Sequence, residues 1–270
     1  MTKVAVRTRA LTLSLALCLS YLIAANRLWA APVTSPMGSY GILLNQWPSS
    51  NTGNDKTSGL LGVLNFDGAG NVTATYTKVN LDFTVKTGTA TGTYSPNPDG
   101  SNTVNLTFDD GSVWTLAAAV TDGGSGLQLL VTGGDPMNTF KGNANPAEVF
   151  SGTGRILSAQ GTMPAGSYGY LITGWPDAGN KPFTIFGVIN LDGAGNLNGS
   201  YTLVNGRPTA FPGALSGTYS VNPDGTGSMT LNFDLGLTAT VAIVVTDGST
   251  GILMLASVGN QVTSGTARMQ

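Results

Sequence analysis

This sequence predicts an all-β protein: two tandem eight-stranded antiparallel up-and-down barrels after an N-terminal signal peptide. Three observations predict it. The chain is written twice, with matching internal spacings. Apolar residues alternate with Thr, Ser and Asn at period two, and no helical period is evident after residue 31. Short turn motifs separate the alternating runs at regular intervals.

The leader comes first. Lys3, Arg7 and Arg9 make a basic start, Leu11 to Ala25 is an apolar run, and small residues follow at Ala30 and Ala31. That order is a secretory signal peptide over residues 1–30, cleaved between Ala25 and Ala31. The run is shorter than the roughly 20 residues a spanning helix needs. Uncleaved anchoring and lipidation at Cys18 are the rivals. Leu17 is large where a lipidation box wants a small residue, and the apolar run continues past Cys18.

The repeat is explicit. "GSYGILLNQWP" at Gly38 returns as "GSYGYLITGWP" at Gly166, and "FDGAGNVTATYTKVN" as "LDGAGNLNGSYTLVN". "TGTYSPNPDG" returns as "SGTYSVNPDG", "VTDGGSG" as "VTDGSTG" and "SGTGR" as "SGTAR". Asp67 to Asp99 spans 32 residues, as does Asp192 to Asp224. The expected units are residues 38–157 and 166–270, joined by a linker at 158–165. Each is long enough for its own core.

Within the first unit, strands are expected at 39–47, 58–66, 71–79, 88–95, 102–109, 112–121, 126–132 and 148–157. In "NVTATYT", Val72, Ala74 and Tyr76 share one face. Val104, Leu106 and Phe108 share another, as do Trp114, Leu116, Ala118 and Val120. "DGAGN", "NPDG" and "TDGG" read as tight hairpin turns. In an up-and-down barrel these three fall at one end, and the connections 48–57, 80–87, 110–111 and 133–147 gather at the other. A ligand mouth, if the barrels are hollow, is expected at that long-loop end, and a filled interior would favour a structural module.

Composition removes several chemistries. There is no histidine, and Cys18 is the one cysteine, inside the leader. The commonest general base, a thiolate nucleophile, a disulfide and the usual zinc ligands are therefore missing. The leader holds Lys3, Arg7, Arg9 and Arg27 of the 12 basic residues and none of the 14 acids, leaving a formal charge of −6. That sign repels phosphate backbones, so nucleic acid is not an expected partner.

The layout resembles the calycin group, meaning lipocalins and avidins. Gly-x-aromatic opens strand 1 (Gly38-Ser39-Tyr40; Gly166-Ser167-Tyr168), with Tyr where lipocalins usually have Trp. "GTY" ends a later strand (Gly92-Thr93-Tyr94; Gly217-Thr218-Tyr219), and an arginine ends strand 8 (Arg155; Arg268). The motif set is also similar to duplicated β modules of secreted bacterial proteins of unassigned activity. The resemblance implies barrel-closing pairs, Tyr40 with Arg155 and Tyr168 with Arg268, each a cation–π contact of about 0.5–2 kcal/mol. It carries over no ligand residues.

Candidate sites are few. "DGAGN" offers Asp67 or Asp192 with Asn71 or Asn196 and no second acid nearby, too little for calcium. It also lacks the third glycine and the helix of a dinucleotide loop. The repeated acids Asp67/Asp192, Asp99/Asp224, Asp109/Asp234 and Asp122/Asp247 all fall in expected turns, bonded to their own backbone. Asp55, Asp82, Asp110, Asp135, Glu148 and Asp177 have no acidic counterpart in the other copy. Trp47 and Trp175, at the long-loop end, are the candidate ligand-stacking residues. No catalytic residue, metal or cofactor is expected. The expected protein is secreted and non-enzymatic, structural or binding a small apolar or sugar-like ligand. The alternatives are one 16-stranded outer-membrane barrel and a barrel hydrolase or cyclase-type enzyme. Strands of about 7–9 residues fall short of the about 9–11 that span a membrane.

Overall fold

The structure, a computed structural model, describes residues 34–47, 57–134, 149–157, 163, 165–176, 182–205, 209–258 and 261–270. The leader, Cys18 and most of the linker lie outside the described residues, as do Asp55, Asp135, Glu148 and Asp177.

Barrel 1 runs through β1 (Gly38–Trp47), β2 (Gly59–Phe66), β3 (Asn71–Val79), β4 (Val85–Pro96), β5 (Asn102–Phe108), β6 (Val113–Thr121), β7 (Gly126–Gly134) and β8 (Val149–Ile156). Barrel 2 repeats it with β9 (Gly166–Pro176), β10 (Phe183–Leu191), β11 (Asn196–Asn205) and β12 (Ala210–Val221). It continues with β13 (Thr226–Phe233), β14 (Thr238–Thr246), β15 (Gly251–Ser257) and β16 (Gln261–Met269). Within each barrel every strand pairs antiparallel with its sequence neighbours. β1 closes on β8 and β9 on β16, so two separate barrels form and the 16-stranded ring does not.

Alternation places the cores. In β3 the inward residues Val72, Ala74, Tyr76 and Lys78 are buried, while Asn71 and Thr73 face out. In β5 Val104, Leu106 and Phe108 are buried and Asn105 and Thr107 exposed. Each fully buried aliphatic side chain of this kind contributes about 1.5–3 kcal/mol. Two strands run longer than the alternation suggested: β7 continues to Gly134, and β4 starts early. β4 begins at Val85, because residues 80–84 form a tight turn and not a long loop. There Asp82 Oδ1 accepts from Thr84 N–H at 3.1 Å, and Asn80 N–H donates to the Thr84 carbonyl at 3.0 Å.

The barrels pack side by side through a third apolar cluster. Leu43, Leu61, Val63 and Val79 of barrel 1 meet Val244, Leu253, Leu255 and Val262 of barrel 2, all buried. These are outward positions on their strands. Their apolar character is therefore explained by the neighbouring barrel.

Candidate functional site

The tight-turn end is a closed floor. Asp67 Oδ1 accepts from Ala69 N–H at 2.7 Å and Asn71 N–H at 2.9 Å, and Oδ2 accepts from Asn71 Nδ2 at 2.6 Å. Asp192 makes the same three bonds with Ala194 and Asn196. The Asn71 side chain, then the two backbone N–H groups, hold the Asp67 carboxyl below its ordinary range. Asp99 accepts from Ser101 N–H at 2.9 Å and Asp224 from Thr226 N–H at 3.0 Å. With its oxygens spent on its own hairpin, each of these acids is a turn residue.

The strand-1 tyrosines and strand-8 arginines meet a common turn and not each other. Tyr40 OH donates to the Gly124 carbonyl at 2.5 Å, and Tyr168 OH to that of Ser249 at 2.7 Å. Arg155 Nη1 ion-pairs with Asp122 Oδ2 at 2.6 Å, and Arg268 pairs with Asp247. The expected cation–π pairs fail for a reason of register. Arg155 lies opposite Gly41, one residue from Tyr40, so its side chain leaves on the outer face. The carboxylate of the β6–β7 turn is then within reach and is the stronger partner.

Two repeated acids work across strands, where own-backbone bonding was expected. Asp109 accepts from Tyr76 OH at 2.9 Å and from Thr89 N–H at 2.8 Å. Asp234 accepts from Tyr201 OH at 2.7 Å and Ala214 N–H at 2.8 Å. Gly88 leaves room for the latch: a Cβ there would lie 2.4 Å from Asp109 Oδ2 and 2.7 Å from Tyr76 Oη. The backbone N–H of Thr89, then Tyr76, holds Asp109 below the usual carboxylate range. Burial, then the bond to Asp234, pushes the Tyr201 hydroxyl up to about 12. Asp82 and Asp110 close turns of their own on Thr84 and Ser112. Among the described residues, no three acidic, His or Cys side chains gather as a metal site would need.

The two barrels differ at the long-loop end. Barrel 1 is filled there by a run of rings: Tyr76 to Phe108 at 5.0 Å, Phe108 to Trp114 at 5.0 Å, and Trp114 to Phe150 at 5.3 Å. The buried Lys78 ammonium sits 5.5 Å from the Trp114 ring centre, and burial lowers its pKa. Two buried donors here, Trp114 Nε1 within the run and Gln46 Nε2 opposite Phe150, have no acceptor among the described residues. Barrel 2 keeps the first pair, Tyr201 to Phe233 at 5.1 Å. In place of Trp114 and Phe150 it has Ala239 and Thr263, and Leu203 replaces Lys78.

The result is a cavity of about 280 Å³ open at the end of barrel 2. Ile185, Leu203, Phe233, Ala239 and Val241 line its walls, Leu235 and Leu237 its rim, and Thr263, Asn205 and Gln261 add polar atoms. A second space of about 570 Å³ lies between the barrels. Its lining is rich in neutral hydroxyls, among them Thr75, Thr77, Thr87, Ser220, Thr226 and Ser228. Thr75 Oγ1 is buried there without a partner among the described residues.

Trp47 ends β1 opposite Val149, and Trp175 lies one residue before the end of β9 opposite Val262, both at the long-loop end as expected. Their side chains lie outside the described residues. Sequence reasoning missed Ala239 and Thr263. The signal was present: aligning the copies inward position by inward position sets Trp against Ala and Phe against Thr. The sequence matches no known family model, and comparison with curated proteins finds no relative.

Proposed function

We propose that this is a secreted, non-enzymatic binding protein. Barrel 2 takes a small apolar molecule at its long-loop end, and barrel 1 is its filled structural partner. One observation carries the reading: the cavity lined by Ala239 and Thr263, where barrel 1 has Trp114 and Phe150. An eight-stranded barrel has room either for its own side chains or for one small ligand. The space of about 280 Å³ falls just under the roughly 300–1,000 Å³ of drug-sized sites, so the ligand is small. The acids support a non-catalytic role, since the repeated carboxylates are engaged by turns, tyrosines and arginines.

Fluorescence titration with N-phenylnaphthylamine tests it. Saturable binding is expected, weakened at least tenfold by Ala239→Trp, which restores the ring found in barrel 1. Equal binding by the two proteins, or none by either, refutes the proposal. The secretory leader is checked by N-terminal sequencing of released protein, which should start between Ala25 and Ala31.

The inter-barrel space favours a second reading, a sugar-like ligand held by neutral hydroxyls. Its particular mark is the unpartnered Thr75 Oγ1. Calorimetric titration with neutral oligosaccharides should then give heat that Thr75→Val diminishes and Ala239→Trp leaves alone.

A further inference from the structure

The interface between the barrels joins unlike faces. Barrel 1 contributes the outer face of β1–β3, and barrel 2 the outer face of β14–β16. The approach is close: a Cβ on Gly41 would lie 2.6 Å from Val244 Cγ1. Because the barrels are copies, each carries both faces, and among the described residues one of each stays unused within the chain.

The repeat names the unused residues. Leu43, Leu61, Val63 and Val79 correspond to Leu171, Phe186, Val188 and Val204 of barrel 2. Val244, Leu253, Leu255 and Val262 correspond to Ala119, Gln128, Leu130 and Val149 of barrel 1. Leu43 and Leu61 are cross-strand neighbours, 6% and 2% exposed. Leu171 and Phe186 are cross-strand neighbours too, yet 51% and 52% exposed. Leu255 and Val262 are 1% and 3% exposed, whereas Leu130 and Val149 are 43% and 48%. Gly169, the counterpart of Gly41, is open: the nearest atom to a Cβ there would be Gln270 Nε2, at 3.4 Å. The vacant face on β9–β11 thus keeps its large apolar residues and its glycine, and the vacant face on β6–β8 keeps two apolar anchors.

We propose that a second copy of this chain occupies them. The β9–β11 face of one copy docks on the β6–β8 face of the next, repeating between molecules the contact made within each. The internal interface identifies the occupant, because it already shows that these two faces fit each other. Such a contact is heterologous, so it closes into a ring or extends into a filament. Three differences make it weaker than the internal one. Gln128 replaces Leu253 and Ala119 replaces Val244, removing apolar area. Thr184 stands where Gly59 makes room for Leu255, so the facing leucine must turn. Assembly should therefore depend on concentration.

Sedimentation velocity tests this on the full chain, expressed with its own leader in a secreting host, from micromolar to millimolar concentration. Mass should rise with concentration. Phe186→Asp disables one face and Leu130→Asp the other, and each variant alone should stay monomeric. Mixed in equal amounts they should form one-to-one dimers and nothing larger, because each retains one complementary face. Both positions are exposed, and unchanged circular dichroism confirms that the variants fold. A wild-type chain that is monomeric at millimolar concentration overturns the proposal. So does assembly blocked by one variant and not the other, or a mixture that stays monomeric.

Discussion

Barrels 1 and 2 share strand order, turn chemistry and floor, and they differ in what fills the far end. The floor is the same to within tenths of an ångström: Asp67 and Asp192 each accept from two backbone N–H groups at 2.7 and 2.9 Å. At the other end, among the described residues, barrel 1 packs a run of four rings and barrel 2 a run of two. The shared part sets register and closure, which a barrel cannot lose and still close. The divergent part needs only to be filled or to be useful. Ala239 and Thr263 in one copy, against Trp114 and Phe150 in the other, leave a cavity where the other has a filled core, without disturbing a strand pair.

Trp114→Ala attacks this difference most directly. It should cost about 3–5 kcal/mol in chemical denaturation, as large-to-small core changes do. It should also give barrel 1 a site for N-phenylnaphthylamine that the wild-type barrel 1 lacks. An undiminished stability would mean that the ring run is not the core of barrel 1.

The floor should respond equally in both copies. Tyr40→Phe and Tyr168→Phe each lose one hydrogen bond to a turn carbonyl, at about 1 kcal/mol apiece. Unequal losses would show that the floors differ more than their geometry. Smaller still are Arg155→Met and Arg268→Met. The Arg155 and Asp122 side chains are 35% and 53% exposed, so this ion pair is worth under about 1 kcal/mol and fades with salt.

Acid titration compares the barrels with the smallest expected contrast. Hydrogen-bond donors depress the carboxyls of Asp67, Asp99 and Asp109 in barrel 1 and of Asp192 and Asp234 in barrel 2. In the unfolded chain these groups take up protons near the ordinary carboxylate value of about 4. Their contribution is therefore complete above that pH and is lost as pH falls towards the depressed folded values, where the unfolded state binds more protons. The melting temperature should hold from about pH 8 to about pH 5 and drop below about pH 4, in one transition for both barrels. At the alkaline side Tyr201, raised to about 12, keeps its proton while the unfolded tyrosine ionises near 10. That contribution should be lost as pH rises through about 10 to 12, visible as delayed tyrosinate absorbance.

Much of this was readable from residue order. Period-two alternation marks which side chains face in, so the strands at 71–79 and 102–109 could be placed to within a residue. Turn motifs such as "NPDG" need particular backbone angles, so they locate hairpins without knowledge of the rest. Leu253 and Leu255 are apolar where the alternation turns them outward, the mark of a packed face. What escaped was relational. That Arg155 reaches Asp122 depends on a one-residue register between β1 and β8. That Asp109 serves Tyr76 depends on a contact between residues 33 apart in sequence.

By itself the sequence determined an all-β chain, its duplication, its hairpins and the chemistries it lacks, because these follow from local backbone preference and from residue types present or missing. Only the tertiary structure decided that the strands close as two rings of eight, that Ala239 and Thr263 open one of them, and that unlike faces join the barrels. Those outcomes depend on which distant side chains share a volume, and volume is a property of the packed whole, not of any segment.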